Sequence, residues 1–142
     1  MRPLEDLYKA FLRLIDTDEW DDLSTEDLVE EAMSDWFDLY QSALLLFKFP
    51  NTGLETEDNE NFKNNVSDAE INVLAEYMKY EFLDRLCTSW ENTKTMYHEK
   101  DFSSANLLKS LNETVKRAER KAISKEKAFY RKLEIHSDCT QN

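Results

Sequence analysis

The chain has 142 residues, 41% of them hydrophobic and 17 aromatic, which is enough apolar side chain for one packed domain and too much for a disordered chain. One Gly and two Pro are too few for a β fold built on tight turns and favour long helices, while no apolar run approaches the roughly 20 residues of a membrane span. A net charge of −12 argues against nonspecific nucleic-acid binding by the whole surface, yet the charge is uneven: residues 1–100 hold nine Lys and Arg against 24 Asp and Glu, whereas residues 101–142 hold nine against six.

The first apolar stripe, Leu4, Leu7, Tyr8, Phe11, Leu14 and Ile15, is one face of a helix over about residues 3–15, with Pro3 tolerated in its first turn. The acidic run DTDEWDD breaks it. Ser24 then reads as an N-cap with Asp27 approximating a capping-box partner, and Leu23 with Leu28 as a hydrophobic staple. That second stripe runs through Ala32, Trp36, Tyr40, Leu44 and Phe47, and should stop near Phe47 because Pro50 disfavours helical geometry before it. Residues 48–66 are the one long irregular stretch, read as a solvated connector pinned by Phe49, Leu54 and Phe62, or as a functional loop.

The third start is the sharpest, with Ser67 as cap, Glu70 as its reciprocal partner, and Val66 with Ile71 as staple. Apolar residues on more than one side place residues 68–93 at the centre of the fold. Phe102, Ser103 and Leu107 repeat the device, and the stripe Leu108, Leu111, Val115, Ala118, Ala122, Phe129 and Leu133 follows. A helix to residue 133 would span about 45 Å, so its thinning distal half is expected to project as an arm ahead of a frayed tail, HSDCTQN. The expected fold class is therefore all-α: about four helices, a long basic C-terminal helix and one long loop at 48–66. It forms a single domain, with 1–102 as acidic helical body and 103–142 as basic arm and tail.

The search for chemistry finds little. Cys87 and Cys139 are too few for a disulfide or zinc framework and read as thiols of a reducing compartment, and MRPLEDLYK lacks a signal-peptide core. His98 and His136 lack metal-site spacing, a single Gly builds no phosphate loop, and no nucleophile has a base beside it, so no enzyme, metal or cofactor is expected. The candidate site is the basic run Lys116, Arg117, Arg120, Lys121, Lys125, Lys127, Arg131 and Lys132, with Phe129 and Tyr130. It reads as a solvated face pairing with Glu119 and Glu126, as a contact for DNA phosphates, or as a face docking an acidic protein or a neighbouring copy. Charge complementarity favours docking. The clusters DTDEWDD and STEDLVEE keep a rival open, an acidic helical inhibitor or regulator that binds a host protein, with DNA mimicry as one route.

The segment from Ser67 to Lys132 resembles the head–tail connector, or neck adaptor, proteins of tailed bacteriophages. The resemblance is carried by the Ser67–Glu70 start, the Ile71-Asn72-x-Leu74-Ala75-x-Tyr77-Met78 run, Glu91-Asn92-Thr93, Lys100-Asp101-Phe102, Ser104-Ala105-Asn106-Leu107-Leu108, and Phe49-Pro50 after the second helix. It covers about half the chain. The resemblance implies a helical virion protein assembling as a homo-oligomeric ring in the neck, between the portal protein and a tail-side neck protein, after assembly in the host cytoplasm. It implies that the basic arm with Phe129 and Tyr130 docks on the portal and that the 48–66 loop meets a neighbour. DNA would pass an acidic channel without specific binding. The segment between Asp101-Phe102 and the fourth helix is shorter than the family pattern, which leaves the arm's starting angle open.

Overall fold

The computed structural model describes residues 2–15, 26–96 and 102–140, and within them the side chains of 2–15, 33–89 and 109–133. The described residues form four helices and no sheet: α1 (Leu4–Leu14), α2 (Glu26–Leu46), α3 (Asp68–Met96) and α4 (Phe102–Thr140). The all-α expectation holds. α3 is the hub, packed against α1, α2 and α4, because Ile71, Val73, Leu74, Ala75, Tyr77 and Met78 bury apolar surface on several sides of one helix.

The start of α3 is built as its sequence predicts. The Glu70 N–H donates to Ser67 Oγ at 3.3 Å, and the Ser67 N–H returns to Glu70 Oε1 at 3.2 Å. Glu70 does more than close the box. Its carboxylate is buried and also accepts the N–H and hydroxyl of Thr52, each at 3.1 Å, so one side chain caps a helix and anchors the preceding loop. Ser24, Leu23 and the DTDEWDD run lie outside the described residues, as does the His98–Asp101 stretch.

The 48–66 segment is irregular yet firmly tied. Leu54, Phe62 and Val66 are buried, and the Tyr40 hydroxyl donates to the Leu54 carbonyl. Phe49, expected as a third anchor, is instead 70% exposed. The segment also completes α1: with Pro3 at the helix start and no side-chain cap, the Leu4 N–H donates to the Glu60 carbonyl at 2.9 Å. Phe62 N–H donates to the Arg2 carbonyl at 2.7 Å, and Arg2 reaches Val66 O and the carboxylates of Asp6 and Asp68. At the tip, Asp58 Oδ1 accepts the N–H groups of Glu60 and Asn61 around Asn59, whose φ of 63° is the left-handed geometry Asn tolerates. These bonds hold the exposed Asp58 carboxyl below its ordinary range.

The fourth helix corrects the sequence reading in two respects. It starts at Phe102 and stays helical to Thr140, through most of the expected frayed tail. Its distal half does not project. Val115, Ala118, Ala122 and Phe129 are buried, and Leu133 still packs on the core. The apolar stripe thins at Ala118 and Ala122 because small side chains fit the close approach of α3, and Phe129 stands edge-on to Phe47 with centroids 5.5 Å apart.

Candidate docking face on the fourth helix

Burial of one stripe fixes the rotation of α4, and the opposite side faces outward. All eight predicted cations, Lys116, Arg117, Arg120, Lys121, Lys125, Lys127, Arg131 and Lys132, are exposed. Among the described residues, only one of them forms an ion pair, Lys121 with Glu76 at 3.7 Å. The pairing with Glu119 and Glu126 that one of the three readings offered is not formed. A dense row of unpaired cations on a helix repels itself, so an anionic surface laid along it gains both the new attraction and relief of that repulsion.

The two aromatic members of the predicted site belong to the interior. Phe129 is buried, and Tyr130 packs against Phe47 and Phe49 with its hydroxyl donating to Glu126 Oε2 at 2.9 Å. This separates the predicted set into an aromatic part that holds α4 down and a cationic part that is presented to solvent.

Three buried groups matter here: Glu76 was not singled out in the sequence, and the buried pairing of Glu126 with Tyr77 was not read from it. Glu126 accepts from the Tyr77 hydroxyl at 2.8 Å, from Tyr130 and from the Lys48 N–H at 3.3 Å. Burial, then the Glu126 bond, drives the Tyr77 phenol well above its ordinary pKa. The signal was present: Glu126 falls in the buried register with Ala122 and Phe129, and a carboxylate on an apolar stripe requires donors. Glu76 is buried on α3 with Oε2 unpartnered, and Lys121 is the cation facing its other oxygen.

Along the outer side of α4, Arg120, Ile123, Ser124, Lys127 and Arg131 line an open groove of about 270 Å³. Beside α4, the exposed ring of Phe49 rests against Tyr130 with centroids 6.1 Å apart. Cations around the half-buried Ile123 suit a carboxylate-bearing protein surface. Cys87 is buried with its thiol donating to Asn112 Oδ1 at 3.1 Å, a further tie between α3 and α4.

Among the described residues, no group of three His, Cys, Asp or Glu side chains could hold a metal ion, and no helix is long and apolar enough to cross a membrane. Comparison with protein-family models, curated proteins and solved structures found no match to this chain.

Proposed function

We propose that this chain is a virion structural protein of a phage neck, a head–tail connector forming a ring between the portal and the tail-side neck proteins. The observation that carries the reading is the exposed basic face of α4, with Lys121 its only ion-paired cation among the described residues, on a chain whose net charge is −12. Binding through such a face is an assembly role: it needs surface complementarity and no bond-making residues. The portal takes a cationic flank of α4, and Phe129 and Tyr130 serve by holding that helix in place. The tied turn at 55–60 exposes Glu55, Glu57, Asp58 and Glu60 and offers a second, acidic surface to a neighbour. Acidic surface lining the ring would repel duplex DNA and let it pass.

Quantitative mass spectrometry of separated heads and tails tests this. The chain should be enriched at ring-like copy number in heads that carry a neck, and Lys116→Glu/Arg117→Glu/Lys125→Glu should fold but fail to be incorporated. Absence from particles despite abundance in infected cells would overturn the reading and favour an acidic inhibitor of a host protein.

A further inference from the structure

We infer that the groove on the basic face of α4 receives the acidic face of α2 from a second copy of the chain, a contact that joins copies head to tail. The inference rests on the reading of α4 as an assembly face and names the surface that meets it.

The two helices are opposite in charge. α2 carries six Asp and Glu and no Lys or Arg, while residues 116–132 carry eight Lys and Arg and two Glu, one of which, Glu126, is buried. The groove from Arg120 to Arg131 rises about 16 Å at 1.5 Å per residue, long enough to span the turn of α2 that carries Asp35 and Asp38.

Both faces are available. Trp36, Leu39, Tyr40 and Ala43 bury one side of α2, which turns Asp35, Asp38 and Gln41 outward, and neither aspartate forms an ion pair among the described residues. Apolar groups lie within each charged surface, with Met33 and Leu45 exposed on α2 and Ile123 lining the groove. An apolar centre within a charged rim is how specific interfaces are built. Within one chain both helices pack on α3 with these faces outward, so the faces meet only between copies. Because the two surfaces differ, the contact is heterologous and propagates until a ring closes or a filament grows. The flank of α4 bearing Lys121, Lys125 and Lys132 stays free for another partner.

Analytical ultracentrifugation of the full chain provides the test. The wild type should exceed its 16.9 kDa monomer mass at low ionic strength and fall towards it as salt is added. Asp35→Lys/Asp38→Lys and Arg120→Glu/Arg131→Glu should each keep the wild-type circular dichroism and associate at least about tenfold more weakly. An equimolar mixture of the two variants should assemble again, because each supplies the surface complementary to the other. A monomeric wild type, undiminished association of either variant alone, or a mixture that stays monomeric would each overturn the contact. Virion content is scored separately. A chain found in necks whose variants fail this pattern refutes the contact and leaves the connector standing, whereas self-association as described without incorporation does the reverse.

Discussion

Tyr77 on α3 donates its hydroxyl to Glu126 on α4 at 2.8 Å with both residues buried, and this bond lies at the centre of what holds the distal half of the long helix to the body. The other Glu126 oxygen takes the Tyr130 hydroxyl and the Lys48 N–H at the end of α2. Three elements therefore share one carboxylate. The same anchoring sets the rotation of α4 and so directs its cations outward.

Replacing Glu126 with Leu leaves two buried or half-buried hydroxyls and a backbone N–H without their acceptor. Stability should fall by about 2–4 kcal/mol in urea unfolding, and Glu126→Gln, which keeps one acceptor oxygen, should lose less. An unchanged midpoint for Glu126→Leu would show that the network adds nothing net to folding.

The two parts of the predicted site should separate on substitution. Phe129→Ala opens a cavity against Phe47 and should cost about 3–5 kcal/mol. Arg120→Glu/Arg131→Glu touches exposed side chains that form no ion pair among the described residues and should move stability by no more than about 0.5 kcal/mol while altering association. Thermal unfolding and sedimentation of the same preparations read both effects.

Glu76 is a buried carboxylate with one oxygen unpartnered and its cation 3.7 Å away. Such a pair recovers little of its desolvation cost. Glu76→Met combined with Lys121→Met should be at least as stable as the parent. Because Lys121 itself stays half-exposed, Lys121→Met alone should cost only about 1 kcal/mol, through the buried charge it leaves behind. A double-mutant cycle measures both values.

Burial pushes the phenols of Tyr8 and Tyr40 up to about 12, with nearby Tyr8 and Glu55 adding to the effect at Tyr40. Both are neutral in the fold, whereas the unfolded chain ionises near the ordinary value of 10.0. Their contribution is present in full below pH 10, declines as the unfolded chain loses its protons, and is gone above about pH 12. Tyrosinate absorbance should therefore rise together with loss of helical circular dichroism, and Tyr8→Phe should carry that transition to higher pH. Titration of these tyrosines with helicity intact would contradict the assignment.

The sequence by itself determined what depends on neighbours within a turn or two. Stripe spacing located α1 to α3 within a few residues, the Ser67–Glu70 box marked the start of α3, and apolar residues on several sides of residues 68–93 identified the hub. The run of cations from Lys116 to Lys132 was legible for the same reason, since helix periodicity and charge order are local. What covers a stripe is settled by residues far away in the chain. Phe49 and Tyr130, whose N–H and hydroxyl meet at 3.0 Å, are 81 positions apart, and no local pattern announces that contact. Only the tertiary structure decided that the sparse face from Val115 to Phe129 is a close helix contact and not a bare arm, because small side chains read alike in both cases. It also decided that Glu126 is a buried acceptor and not a surface partner for lysine, since two of the donors that make its burial tolerable, Tyr77 and Lys48, come from elsewhere in the fold.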